Sequence, residues 1–580
     1  MSSQKHSVPS VFLATQAPNY VSKTKHSAIT LLSAGAIAIT SLFASSSWSL
    51  VYADAIGPLS PYERALEALR IRTEAAESNF SEPLPDHPDN GDEDTFSGRG
   101  VNPNKEFQIN SYTKGLPHNK NGIVDRRAYQ ALIDALKSGD PADFKQIPMG
   151  IGDLGLRNPQ AAYTYLMEGK DPHSYAMPAA PAFSSAQQAS EAIEVLWQAI
   201  TRDIPYSRYE DSHLIRKATK DMSRFSDFRG PKDEYGDVTP GTLFRGVGNK
   251  ETIGPYISQF LLQSIPYGAT KIEQKYNVPV ARNDHLTNYD EWLHIQNGGD
   301  ATGITSVKFQ ENPHYVYNGR AMAQFVLQDF VFQAYLGAAR IIRGYGSSAY
   351  DVNDPYKGSV SEARSPLFGN NHALDWLSRV SMGSQNVAWF QKWLVHRRAR
   401  PEVFFGRVHN HLTEPGINYP IHEELFGSPA LNIVYKRNGT YLLPTATPVG
   451  SPLHPTYPAG HAVMAGAAVT MLKAFFNEDY VIENPVTTND KGTALVPYVA
   501  PAGEPPLTIE SELNKLASNI SLGRDIAGVH YRTDGDLGIA LGEKYGISIL
   551  EELVETYNED FEGFFLRKFD GTEITIGKKH

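Results

Sequence analysis

The stretch Pro458-Ala459-Gly460-His461-Ala462-Val463-Met464-Ala465-Gly466-Ala467-Ala468-Val469 leads a turn straight into a run of small and aliphatic residues. Such a run reads as a helix, expected over Ala462–Phe476. Gly460 stands where loop becomes helix. With no Cβ it lets a ligand approach its N–H closely, and the helix N-terminus adds positive potential. Outward from this point helical periodicity recurs, with apolar residues at i, i+3 and i+4. It marks a first helix over Ser60–Ala76, then Asp125–Leu136, Ser184–Ile200, Ile253–Ile265 and Ala321–Arg343. Further on it marks Asp375–Arg398, Thr508–Leu522 and Asp534–Tyr557. Strand signals are sparse, the best being a short hairpin arm over Val434–Thr440 with Leu442. The Pro/Asp/Gly-rich stretch Asn79–Asn104 is expected to be irregular surface. No repeat and no Gly/Ser linker divides the chain, so residues 56–580 read as one helical domain with long decorated loops.

The 580 residues are 41% hydrophobic and 20% charged, a globular balance that excludes disordered and fibrous classes. The net charge of −11 argues against a nucleic-acid partner, which needs a basic face. Cysteine is absent, so disulfides, thiolate metal sites and Cys nucleophiles are excluded together. Lys23 and Lys25 precede an apolar stretch, Ala28–Phe43, and small residues follow at Val51-Tyr52-Ala53 and Ala53-Asp54-Ala55. Residues 1–55 therefore read as an export signal and cleavage region, giving a periplasmic or secreted protein. The apolar stretch is shorter than the roughly 20 residues that span a bilayer, and no later segment reads as a membrane span.

Three segments between 385 and 535 hold chemistry: Lys392 with Arg400-Pro401, then His454 and Pro458–His461, then Arg524, His530 and Asp534. Taken singly, each has an ordinary structural reading. Lys392 fits a solvated helix face beside Arg397 and Arg398, Arg524 and His530 fit a helix C-terminal cluster, and Asp534 fits a helix N-cap. Together they are the parts of a pocket for a tetrahedral oxyanion. Lys392, Arg400 and Arg524 would offset its charge, and guanidinium forks match its oxygens. Gly460 would donate its N–H, leaving His461 and His530 to bond the central atom or move protons.

This ordered set resembles the superfamily of vanadium-dependent haloperoxidases and type-2 phosphatidic acid phosphatases. Its pattern, Lys…Arg-Pro, Pro-Ser-Gly-His, Ser-Arg-x5-His-x3-Asp, is met by Lys392, Arg400-Pro401, Pro458–His461, Gly523-Arg524, His530 and Asp534. Ala459 and Gly523 depart from it, each standing where serine is usual. The eight-residue step from Lys392 to Arg400 and a histidine, His454, seven before His461 are similar to the algal bromoperoxidase branch. So are Glu251–Leu262 with Ile265–Gly268, and Gly57–Ser60.

The resemblance implies an all-α fold of two four-helix bundles with long loops and a few short strands. It implies vanadate bonded by His530, with Lys392, Arg400, Arg524 and the Gly460 N–H on its equatorial oxygens. His461 would bond the apical oxygen and act as acid and base, Lys392 would polarise peroxide, and His454 would tune the pocket and assist proton transfer. Asp534 would orient an imidazole. The implied activity is oxidation of bromide and iodide by hydrogen peroxide to a hypohalous equivalent that halogenates small organic acceptors. Two rivals remain open: phosphoester hydrolysis through a phospho-histidine at His530, and a non-catalytic oxyanion-binding protein. His454, the long separation of His461 from Arg524 and the lack of membrane helices favour the peroxidase. Trp389, three before Lys392, is the choice of chloride oxidisers, whereas His454 is that of bromoperoxidases; Gln391 is neutral where several algal enzymes carry a cation. Asp351, Asn353 and Asp354 form an oxygen-rich loop suited to calcium. A homo-oligomer is expected from the branch alone.

Overall fold

The computed structural model describes residues 57–92, 110–152 and 154–578. The export-signal reading, and residues 93–104 of the expected irregular stretch, lie outside the described residues. Two units are distinguished, Met1–Glu74 and Ala75–His580. Of the first, residues 57–74 are described, and they hold most of the helix Pro61–Ser81, in which no residue is buried.

Among the described residues the second unit is helical, with three small antiparallel hairpins, Ile265–Tyr267 with Thr270–Ile272, Val486–Thr488 with Leu495–Pro497, and Phe564–Arg567 with Glu573–Ile576. Two large hydrophobic cores carry most of the helices, and a smaller one holds Arg126–Ser138. The first gathers Ala186–Thr201, His213–Ser223, Pro401–Thr413 and Pro429–Asn438 around Trp197, Leu196 and Phe405. The second centres on Gly460–Phe475, against which Asn370–Phe390, Ile509–Ile526 and Arg532–Leu553 pack, with Gly319–Gln328 and Gln333–Gly344 alongside. Small residues let these helices touch. A Cβ on Gly466 would fall 2.0 Å from the Ile539 carbonyl oxygen, and one on Gly542 would fall 1.9 Å from that of Val463.

Four sequence expectations are corrected. Val434–Thr440 is not a hairpin arm but lies mostly in the helix Pro429–Asn438. Ser428 caps that helix through its side chain, Gly439 closes it at φ 73°, and Leu431 and Val434, one turn apart, are buried in the first core. Tertiary burial here outweighs the strand preference of the β-branched pair Ile433-Val434. Ile253–Ile265 is not a helix beyond a short 3-10 turn at Gln259–Leu261. Gly254 sits at φ 71° before Pro255, and the amides of Ser258 and Gln259 are taken by the Asn519 and Glu512 side chains at 2.8 Å. The expected helix Ala321–Arg343 breaks at Asp329, and its halves, Gly319–Gln328 and Gln333–Gly344, meet at 103°. Asp375–Arg398 is helical only to Phe390. A wider π turn, Gln391–His396, follows and ends at Arg397 with φ 36°. No single described helix is long and apolar enough to cross a membrane.

Candidate active site

Lys392 is the second residue of the π turn, and Arg400 is the N-cap of the next helix, Pro401–Thr413. Both are fully buried. Lys392 donates to the carbonyls of Pro455 (2.7 Å) and Thr456 (2.9 Å). Arg400 donates through Nε to the His454 carbonyl at 2.9 Å and through Nη1 to the Val529 carbonyl at 2.8 Å. Its Nη1 also lies 2.8 Å from His530 Nε2, and its Nη2 lies 3.0 Å from His454 Nδ1. A guanidinium only donates, so His530 Nε2 is an acceptor. His454 Nε2 also lies 3.4 Å from Arg400 Nη2, and its Nδ1 lies 3.1 Å from the Pro455 carbonyl.

The other face of His530 agrees. Its Nδ1 is 3.0 Å from Asp534 Oδ2, which also accepts from the Tyr531 amide and the Thr456 hydroxyl. His530 is thus the Nδ1–H tautomer, with the Nε2 lone pair turned toward the cations. Asp534 is the third residue of the helix Arg532–Leu553 rather than its N-cap. Behind it stands Arg398, which is not on a solvated face but fully buried. Arg398 donates to Asp534 Oδ1 at 2.9 Å and Gln188 Oε1 at 2.7 Å, and stacks 4.2 Å from the Tyr531 ring. Burial works against its charge, but Asp534 and then Glu191 outweigh it and hold the guanidinium above its ordinary range.

Gly460 is the first residue of its helix, with Ala459 as an N-cap that makes no side-chain bond. Among the described residues no protein acceptor takes the Gly460 N–H. A Cβ there would meet Gln385 at 3.1 Å and Trp389 at 3.3 Å, so a larger residue would have to push these side chains back by a few tenths of an ångström. His461 follows with its side chain 24% exposed and its Nε2 3.1 Å from Asp329 Oδ1. Arg524 is buried. Its Nη1 donates to the Val326 carbonyl at 2.6 Å, and its buried Nε has no partner among the described residues. At Gly523, the other departure, a Cβ would lie 3.0 Å from Val326 and 3.2 Å from Met322, so a serine there would press on the neighbouring helix.

Each sequence-derived site residue, Lys392, Arg400, His454, Gly460, His461, Arg524, His530 and Asp534, lies in or against this cluster. Sequence reasoning missed Asp329, Arg398, Glu191 and Thr456. Glu191 carried a signal, being an acid inside an apolar helix, and so did Asp329, a charge interrupting an apolar run. The Trp389 and His454 rings meet tilted by 37°, with centroids 4.8 Å apart and Lys392 Nζ 5.9 Å from the Trp389 ring, so the two opposed halide signals share one wall. Gln391 is buried and turned away, donating to the Tyr175 carbonyl at 2.5 Å.

Electrostatically the cluster is dominated by buried positive charge, which the carboxylates of Asp534 and Asp329 offset only in part. Burial, then Arg400, drives Lys392 well below the usual ammonium range. Burial, then Arg400, does the same to His530, and burial, then Lys392, to His454. Burial lowers even Arg400, to about 10. Three buried cations bonded mainly to carbonyls, an orphaned Arg524 Nε and a free helix N-terminal N–H fit a small multiply charged oxyanion. Fold and site together define a helical protein with a buried cationic pocket, in which the lone pair of His530 Nε2 faces Arg400.

A family model described as VCPO second helical-bundle domain matches residues 424–559. The chain is 31% identical to a vanadium-dependent bromoperoxidase of Ascophyllum nodosum, covering 90% of this chain and 94% of that one. It is 30% identical to one of Corallina officinalis, covering 88% and 98%. The structure superposes on the second vanadate-dependent bromoperoxidase of Ascophyllum nodosum, a homohexamer, with a TM-score of 0.85 and 28% identity over 93% of this chain and 96% of that one. The chain belongs to the vanadium-dependent haloperoxidase family, in its algal bromoperoxidase branch.

Proposed function

We propose that this protein uses hydrogen peroxide, with vanadate at the cluster above, to oxidise bromide and iodide to a hypohalous equivalent that halogenates organic acceptors. The observation that carries this reading is the Arg400–His530 contact, in which a buried lone pair faces buried cations. Lys392, Arg400, Arg524 and the Gly460 N–H would hold the oxygens of vanadate, and His530 Nε2 would bond the vanadium. When bound, the group supplies Lewis-acid activation of peroxide for a two-electron oxidation of halide. The protein's own residues do the rest. Asp534 fixes the His530 tautomer. Lys392 and the guanidiniums stabilise negative charge in a water-poor pocket, where such charges act strongly. His461, the accessible imidazole, is placed to pass a proton between bound substrate and solvent, with Asp329 orienting its ring. His454 closes the pocket beside Trp389.

Adding orthovanadate to protein stripped of it should restore bromide oxidation, and excess phosphate should compete. His530→Ala should abolish that activity while far-ultraviolet circular dichroism is unchanged. Full activity in that variant, or hydrolysis of a phosphate monoester in place of bromide oxidation, would refute the reading.

Export and self-association are part of the proposal. The first rests on residues 1–55, and N-terminal sequencing of the mature protein tests it. The second is supported by the homohexameric relative, and light scattering tests it. Calcium at Asp351, Asn353 and Asp354 is proposed on the loop's oxygen content alone. Asp354 already pairs with Arg364 at 2.8 Å, so a cation there must displace a guanidinium. Unchanged thermal stability in excess calcium would count against it.

A further inference from the structure

Lys114 lies far in the chain from the segments that carry the cation cluster, yet it is buried as they are, at 1% exposure. All three N–H donors of its ammonium are taken. Nζ donates to Glu402 Oε1 at 2.7 Å, to the Val449 carbonyl at 2.7 Å and to the Ser451 carbonyl at 2.6 Å. Glu402 stands in the first turn of the helix Pro401–Thr413, two residues after Arg400. Its Oε1 also accepts from Gln296 Nε2 at 3.1 Å, and its Oε2 accepts from the Ser451 amide at 2.7 Å. The fit is close, since a Cβ on Gly450 would fall 2.1 Å from Glu402 Oε2. Among the described residues Lys114 is the one ion-pair partner of Glu402. The loop held in this way runs on to His454, Pro455 and Thr456, whose carbonyls take Arg400 and Lys392.

A buried carboxylate two residues from Arg400 competes with any anion for that guanidinium. Burial disfavours the charge of Arg400, while Tyr112, Asp534 and Glu402 favour it, so Glu402 acts on Arg400 even with Lys114 in place. A buried carboxylate deprived of its cation is strongly unfavourable and draws on another within reach. We infer that Lys114 is a positioning residue for the oxyanion pocket: by satisfying Glu402 it leaves the Arg400 guanidinium to face His530 and the bound oxyanion. The inference rests on the oxyanion reading of the pocket and adds a residue that acts through Arg400. Neutralising Glu402 differs from merely stapling the loop 449–456 to the helix. A staple is lost when either partner goes, whereas a neutraliser is required only while Glu402 is charged.

The test is calorimetric titration of orthovanadate into full-length protein stripped of it, with far-ultraviolet circular dichroism to check that each variant folds. Lys114→Met should weaken orthovanadate roughly 10-fold, the scale of one compromised charge-assisted hydrogen bond. Glu402→Gln keeps the shape and the acceptor for Lys114, and should bind orthovanadate at least as tightly as wild type. The double variant Lys114→Met/Glu402→Gln leaves no uncompensated carboxylate, and should return to within about threefold of wild type. A double variant as weak as Lys114→Met would overturn the inference in favour of stapling alone. Wild-type affinity in Lys114→Met would overturn it as well. Should Lys114→Met fail to fold, the double variant decides by itself: near-wild-type affinity upholds the inference, and a loss of roughly 10-fold or more overturns it. Wild type that binds no orthovanadate overturns the oxyanion reading itself, and the role of Lys114 with it.

Discussion

Asp329 Oδ1 lies 3.1 Å from His461 Nε2, although the two residues are 132 apart in the chain. The contact exists because the helix ends at Gln328 and the backbone turns extended at Asp329, which swings a buried carboxylate toward the start of the helix Gly460–Phe475. The negative charge of Asp329 also favours the charged form of Arg524, against the burial that lowers it. Asp329→Asn keeps the shape and removes the charge. It is expected to lower the kcat of iodide oxidation roughly 10-fold, since a hydrogen bond to a charged group carries about 1.5–3 kcal/mol. Steady-state kinetics at saturating vanadate check this. An unchanged kcat would remove Asp329 from the working site.

Arg398 ties Asp534 to Glu191, and so ties the His530 ring to the first core. Arg398→Met leaves two buried carboxylates facing each other, a loss of about 3–5 kcal/mol by the general cost of breaking a buried ion pair. Arg398→Lys keeps the charge but not the fork, and should lose less stability while still weakening vanadate binding. Thermal unfolding and the vanadate concentration for half-maximal activity separate the two effects.

Ala459 makes no cap bond and is fully buried. Serine there would add one hydroxyl toward the oxyanion, a bond worth about 1.5–3 kcal/mol. Ala459→Ser should therefore tighten vanadate by no more than roughly 10- to 100-fold. Wild type that is inert at every vanadate level beside an active Ser variant would mark a lapsed enzyme.

Glu251 gives a pH prediction away from the site. Burial, then the charge of Asp536, pushes its carboxyl up to about 8 from 4.5. Unfolded, it ionises near 4.5, so between these values the folded state holds a proton that the unfolded state has released. Its contribution to stability is therefore present at low pH and lost as pH rises through that window, by about 1.4 kcal/mol per pH unit at most. Glu251→Gln should flatten the fall of melting temperature between pH 5 and 8. A variant with the wild-type slope would contradict this.

The helices with strong apolar spacing were legible within a few residues. Gly460–Phe475, Ala186–Thr201 and Ile509–Ile526 formed where periodicity put them, because burial of a regular apolar face is itself the driving force. Ile253–Ile265 failed because Gly254, Pro255 and two captured amides lie outside any periodic signal. Val434–Thr440 failed because Val434 is buried with Leu431, one helical turn before it, in the first core, while residues 435–437 are exposed.

For the site, the residue types and their order determined the oxyanion chemistry, since cation, imidazole and helix-start glycine each supply what no other type can. Position along the chain could not say which charges face one another. That Arg398 is buried behind Asp534, that Asp329 meets His461 and that Gly523 lies against Val326 were decided by tertiary structure alone. Each depends on how two helices far apart in sequence pack. A buried charge is stable only where the fold has already placed its partner.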